Sequence, residues 1–406
     1  MERIISQDFK ETEIGHIPKD WKVTRLGDIN QSIKSSLIPS DFPDEDFEYY
    51  SIPAYQDKKK PTIQKGSSIL SLKLVLQNDT VLFGKLNPRV EKVWVVSSES
   101  PLRKIGSTEW LPIIPNKDKA ISNFIYFLEF SNYVMPKAKE LVSGSTPSRQ
   151  RVDPTSFYRI SIPLPPIPEQ TAIANVLSTV QENIEKTENL INSTKELKKS
   201  LMSHLFTYGP VPINEAEKVK LKETEVGLIP EDWEVRRLGD IITLQRGVDL
   251  PLSKREQGKY PVVGSNGITG YHSKFFTEGP GVLVGRSGSV GKVTWIERDY
   301  WPLNTSLWIK EFHSNNKKFI YYLLNFIDLS KYSSGVSVPT LNRNLVHPIN
   351  LGVPSLPEQT QIADILSTVD AKIEAEENKA RALEKLFQSL LNDLMTGKIR
   401  VREELS

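Results

Sequence analysis

Lys10-Glu11-Thr12-Glu13-Ile14-Gly15-His16-Ile17-Pro18-Lys19-Asp20-Trp21 runs on to Arg25-Leu26-Gly27-Asp28-Ile29. The phrase returns as Lys222-Glu223-Thr224-Glu225-Val226-Gly227-Leu228-Ile229-Pro230-Glu231-Asp232-Trp233, running on to Arg237-Leu238-Gly239-Asp240-Ile241. The offset is 212, and 15 of 20 positions are identical, so the chain is built from two copies of one module. A second pair follows. Pro168-Glu169-Gln170-Thr171-Ala172-Ile173-Ala174-Asn175-Val176-Leu177-Ser178-Thr179-Val180 matches Pro357-Glu358-Gln359-Thr360-Gln361-Ile362-Ala363-Asp364-Ile365-Leu366-Ser367-Thr368-Val369 at an offset of 189. The intervening segments, 30–161 and 242–350, look little alike. Two near-constant frames around two divergent inserts suggest two different ligands of one class.

Both second phrases carry helix-start signals. Pro163, Pro165 and Pro166 keep the approach extended, Pro168 suits a first turn, and Glu169 favours the positive helix end. Pro354 and Pro357-Glu358 repeat the arrangement. A 4-3 seam follows in each copy. The first is Ile173, Leu177, Val180, Ile184, Thr187, Ile191, Thr194, Lys198, Leu201, Leu205. The second is Ile362, Leu366, Val369, Ile373, Glu376, Ala380, Leu383, Phe387, Leu390, Leu394. Seams this long predict two coiled-coil helices of about forty residues, roughly 60 Å each, packed antiparallel; the alternative is two ordinary amphipathic helices packed on their own domains. The polar seam positions Thr187, Thr194, Lys198 and Glu376 weaken a generic zipper and fix register.

The inserts read as mixed α/β. Thr80-Val81-Leu82-Phe83 and Val93-Trp94-Val95-Val96 flank a Gly84-Lys85-Leu86-Asn87-Pro88-Arg89 loop. Gly281-Val282-Leu283-Val284 and Val293-Thr294-Trp295-Ile296 flank Gly285-Arg286-Ser287-Gly288-Ser289-Val290-Gly291-Lys292. Short helices are expected at 122–130 and 316–326. The second loop fails as a nucleotide-binding P-loop, because Arg286 stands where a glycine is needed and Val293 where Ser or Thr is needed. What remains is a glycine-rich hairpin with cations suited to DNA phosphates or guanine edges, or a tight turn with solvated charges. Two further loops, 143–151 and 334–344, precede the proline-rich linkers. They carry Arg149, Gln150, Arg151, Asn342 and Arg343, side chains of the types that read guanine and adenine. The candidate DNA-binding set is therefore Lys85, Arg89, Lys92, Arg149, Gln150, Arg151, Arg246, Arg286, Ser287, Lys292, Asn342 and Arg343.

Bulk properties agree. The chain has 406 residues, a formal net charge of +2 and no cysteine, which excludes disulfides, cysteine-bound zinc and a cysteine nucleophile. The charge divides unevenly: +4 over 30–161, +6 over 242–350, and −8 over the rest. Basic inserts favour a polyanionic partner. Neither a run of about eighteen apolar residues nor a signal-peptide core is present, so no membrane is expected and the cytoplasm fits. An amino-methyltransferase needs an Asn/Asp-Pro-Pro-aromatic loop, and Asn87-Pro88 continues with Arg89. Glu377 and Lys379 have a nuclease-like spacing but belong to a charged helix face, and the five histidines are scattered singly. A coiled-coil scaffold for protein partners is the other alternative; it explains the helices and leaves the divergent basic inserts unexplained.

These residues resemble the specificity (S) subunits of type I restriction-modification systems over essentially the whole length. The carriers are the paired Ile-Pro-x-Asp-Trp…Arg-Leu-Gly-Asp-Ile openings, the linkers Pro165 to Gln170 and Pro354 to Gln359, the long helices, and the helix ends Leu205-Phe206-Thr207 and Leu394-Met395-Thr396-Gly397-Lys398. Gly285 to Gly291 looks like a loop frequent in the family's second halves, whereas Thr207-Tyr208-Gly209 departs from the Thr-Gly-Lys of the second helix end. The resemblance implies an α+β fold: two globular α/β target recognition domains joined by two long antiparallel coiled-coil helices, with an internal pseudo-two-fold repeat. The expected division is 1–161, a first recognition domain; 162–209, a central helical spacer; 210–350, a second recognition domain; and 351–406, a C-terminal helical spacer. Also implied is a non-catalytic role: each domain reads one half of a bipartite, asymmetric site on double-stranded DNA. The helices set the gap and dock two modification (methyltransferase) subunits, and restriction subunits add translocation and cleavage. No cofactor is expected on this chain; S-adenosylmethionine, ATP and Mg belong to the partners.

Overall fold

A computed structural model describes residues 9–31, 35–334 and 339–401. The chain divides into two compact units, one of residues 1–187 with 379–406 and one of residues 188–378. Each long helix therefore gives about half its length to either unit. The helices run Ile167–Tyr208 and Leu356–Met395, each beginning one residue before the proline that the sequence places in the first turn. All twenty predicted seam positions are buried or half-buried. In the first unit Ile173, Ala174 and Leu177 share a core with Leu391, Leu394 and Met395. In the second, Leu205 and Phe206 share one with Ile362, Ala363 and Leu366. The start of one helix thus packs on the end of the other, the antiparallel arrangement. Seam threonines Thr187 and Thr194 satisfy their hydroxyls on carbonyls four residues back, both at 2.7 Å. Lys198 reaches Asp370 at 2.6 Å.

The frame phrases have a structural logic. The opening turns Phe9–Thr12 onto Gly15–Pro18 and Leu221–Thr224 onto Gly227–Pro230. Gly15 and Gly227 take φ of +97° and +99°, a left-handed backbone that an L side chain resists. The next strand, Lys22–Arg25, pairs antiparallel with Ser161–Leu164; Glu234–Arg237 pairs likewise with Asn350–Val353. Each insert thus leaves and re-enters its frame on adjacent strands. Buried Trp21 donates its indole N–H to Glu169 at 2.9 Å, and Trp233 donates to Glu358 at 3.4 Å. Gln170 bonds the Pro165 carbonyl, the Lys119 carbonyl and the Ile121 amide. Gln359 bonds the Pro354 carbonyl, Asn315 and the Asn316 amide. The Glu-Gln pair of each linker therefore grips the opening tryptophan with one residue and the insert's helix with the other.

That insert helix is Ser122–Phe130 in the first unit and Lys317–Phe326, capped by Asn316, in the second. It covers a small antiparallel sheet. Val81–Gly84 lies between Trp110–Ile113 and Val93–Val95. Gly281–Gly285 lies between Ser306–Glu311 and Val293–Ile296, with Thr243–Arg246 beyond. Both central strands are buried throughout, which is why they read as unbroken apolar runs. A second sheet in each insert contains a parallel pair: Asp46–Tyr50 with Arg103–Gly106, and Tyr260–Gly264 with Trp301–Pro302.

Candidate nucleic-acid interface

In the first unit the loop 85–92 leaves the central strand at Gly84, whose amide donates back to the Lys92 carbonyl at 2.8 Å. The segment before the proline-rich linker runs alongside. Leu86 bridges Arg151, the Asn87 amide donates to the Gln150 carbonyl at 2.8 Å, and the Val152 amide to the Lys85 carbonyl at 3.0 Å. Lys85, Arg89, Arg149, Gln150 and Arg151 are thereby gathered on two adjoining loops. Their side chains differ in readiness. Arg89 and Arg149 are exposed and make no ion pair among the described residues. Arg151 forks onto the Glu109 carboxylate at 3.1 Å. Lys92 does not present its charge outward. Its ammonium is buried and donates to the carbonyls of Asn87 and Val90, and burial lowers its pKa. It is a strut for the loop.

The second unit repeats this backbone with other side chains. The Gly285 amide donates to the Lys292 carbonyl at 2.8 Å. A Cβ on Gly285 would lie 1.9 Å from the Ser289 carbonyl oxygen, so the turn is open to glycine alone. Ser287 bridges Thr340, and the Leu341 amide donates to the Arg286 carbonyl at 2.8 Å. The amides of Lys85 and Arg286 reach the matching neighbouring segment, Glu109 at 3.0 Å and Thr305 at 2.9 Å. By these bonds Lys85 and Arg286 occupy one slot, the first residue of the loop. Half-buried Arg286 finds the Asn304 carbonyl at 3.5 Å and no other acceptor among the described residues, so most of its guanidinium donors remain to recognise one. Exposed Lys292 donates to the Asn266 carbonyl at 2.8 Å. Asn342 caps the short helix Arg343–Val346, and Arg343 touches the Leu244 carbonyl at 3.4 Å. Beneath it, His347 accepts the Leu244 amide at 3.1 Å; burial and then the Arg343 charge lower its pKa, keeping it the neutral acceptor that bond requires. Arg246 is exposed at the end of its strand, beside the same end of the sheet. Residues 335–338 of the second return loop lie outside the described residues.

One participant escaped the sequence reading. The turn Ser265-Asn266, closed by Gly264 and Gly267, lies against the second loop: Ser289 donates to the Asn266 side chain at 2.5 Å, beside the Lys292 bond. Asn266-Gly267 between β-forming residues is a strong short-range hairpin signal and could have found it. No group of three or more His, Asp or Glu among the described residues is placed to hold a metal ion. No helix among them is long and apolar enough to cross a membrane.

Comparison with known proteins accords with this geometry. The family model of the type I restriction modification DNA specificity domain matches twice, over residues 18–196 and 230–385. Two specificity subunits of Methanocaldococcus jannaschii type I restriction enzymes, MjaVIII and MjaIX, are 27% and 25% identical to the chain, covering 98% of it and 97% of each of theirs. The S subunit of the type I restriction-modification system from M. genitalium superposes with a TM-score of 0.64 at 18% identity, over 92% of this chain and 96% of that one. A chain from a structure on complex assembly and conformational transition of the type I R-M system superposes with a TM-score of 0.57 at 20% identity, over 94% and 99%. At such identities the likeness concerns the fold.

Proposed function

The chain belongs to the type I restriction modification DNA specificity family, and from that premise we propose that its two units read the two halves of one bipartite, asymmetric DNA site. One observation carries this. Both inserts hold the same hairpin loop and return segment by matching main-chain bonds, yet fill the shared slot differently, Lys85 in one and Arg286 in the other. A constant scaffold with variable cations at its rim is what two readers of one polymer require. Main-chain bonds fix the loops; the side chains are left for base edges and phosphates. Arg286 has the planar fork that matches guanine O6 and N7, whereas Lys85 offers a compact charge.

The role is recognition, with no chemistry on this chain. The long helices set the spacing between half-sites and dock two modification subunits, and restriction subunits complete the assembly. S-adenosylmethionine, ATP and Mg act on those partners, in the cytoplasm. With a net charge of only +2, the lone chain binds DNA weakly until the modification subunits join.

The test is methylation mapping by long-read sequencing in cells expressing this chain with a modification subunit, before and after replacing residues 242–350 with a foreign insert. A bipartite motif of which one half changes is the expected result. No motif dependent on this chain would favour a protein-binding scaffold instead.

A further inference from the structure

The second sheet of each insert has one connection that the two units build differently. Tyr50 and Val263 are equivalent: each carbonyl accepts the amide of the residue following the parallel partner strand, Ser107 at 3.2 Å and Leu303 at 2.8 Å. From that strand the chain turns back into an antiparallel neighbour, Thr62–Lys65 in one unit and Gly267–His272 in the other. In the second unit the connection is the turn Ser265-Asn266, pinned to the hairpin loop by Ser289 and Lys292. In the first it is residues 51–61, containing the short helix Ile52–Asp57 and then Lys58, Lys59 and Lys60. This longer connection is pinned at the same place. The Tyr55 hydroxyl accepts the amide of Val93, the residue that follows the loop, at 3.3 Å, and its ring packs on Trp94 and Trp110.

The three lysines are exposed, and none makes an ion pair among the described residues. Only Asp57 precedes them with opposite charge. Lys59 takes a φ of +49°, and its ammonium lies 5.6 Å from the centre of the Tyr55 ring, the same ring that pins the connection beside the loop. We propose that Lys58, Lys59 and Lys60 form a phosphate-binding edge of the first reader, flanking the bases faced by Lys85 and Arg89. Lysine suits this task as a flexible point charge without the fork that reads a base edge. The second unit has no cation in its turn, so the edge belongs to one reader only.

The inference rests on the DNA reading above, and one experiment separates the two. The full chain, reconstituted with a modification subunit, is compared with a Lys58→Gln, Lys59→Asn, Lys60→Gln variant. Binding is measured to a duplex bearing the mapped methylation motif and to a scrambled duplex, across a series of salt concentrations. The expected result is weakening on both duplexes by about tenfold or more, with a salt dependence shallower by about two to three in log–log slope. The motif and the melting temperature stay unchanged, and arginine at positions 58 and 60 keeps the wild-type slope. Unchanged affinity and slope, or an altered base preference, would overturn the phosphate assignment. Equal wild-type binding to both duplexes would overturn the DNA-specificity reading itself.

Discussion

At the scale of single residues, the two units can be read as each other's controls. Counting eight residues from the amides that the linker glutamines accept, Glu129 stands where the second unit has Leu324. Both are fully buried, and neither oxygen of Glu129 has a hydrogen-bond partner among the described residues. Burial raises its pKa well above 4.5, so the folded chain keeps this proton to a higher pH than the unfolded chain does. Stability is therefore fully present below about pH 4.5 and falls as the pH rises toward the elevated folded value. Glu129→Leu removes that slope together with two buried unpaired oxygens, so it should stabilise the protein at both pH values and more at pH 7, by on the order of 2 kcal/mol there; urea unfolding at pH 4 and pH 7 checks this. A second contrast lies in the first loop. Lys92→Met should loosen the loop and lower the melting temperature, because the Asn87 and Val90 carbonyls lose their donor. Arg89→Gln should leave melting unchanged and make DNA binding less salt-dependent by about one in log–log slope. Arg286→Glu should weaken binding and blur one half-site; equal loss at both halves in methylation mapping would show that the loop is misassigned.

At the scale of elements, the frames were legible in the sequence and the readers only in part. The helix 122–130 and the strand 293–296 fall at their expected bounds, and both long helices start within a residue of theirs. These follow from apolar periodicity and proline placement, which are local signals. The equivalence of Lys85 and Arg286 was not legible, because main-chain bonds that leave side-chain identity free define it. Lys92 illustrates the same limit: a lysine beside a loop looks alike whether it faces solvent or turns under the backbone, and only burial separates the cases. The repeated Glu-Gln was visible as a motif, but its purpose was not. Gln170 and Gln359 join the start of a long helix to the start of an insert helix, segments about fifty and forty residues apart in sequence. Gln170→Leu should strand the Ile121 amide and two carbonyls, costing roughly 2–3 kcal/mol, with a loss of order at the start of the insert helix. Amide hydrogen exchange at 121–125 provides the readout.

At the scale of the whole molecule, the two compact units are not successive stretches of chain. Residues 167–187 and 379–395 belong to one, and residues 188–208 and 356–378 to the other, so neither long helix is the property of either. A helix frays from an end more readily than it breaks in the middle, because nucleating a new turn is costly. Loss of the first unit would leave both helices of the second with raw ends in their interior seams. The units should therefore melt as one cooperative transition, unlike beads on a linker. Calorimetry should show a single peak whose calorimetric and van't Hoff enthalpies agree. Gln170→Leu, a lesion confined to the first unit, should lower the melting of the tryptophans of both. Melting of that kind would make the molecule thermodynamically indivisible: a copy with one folded half and one unfolded half would be the scarce state.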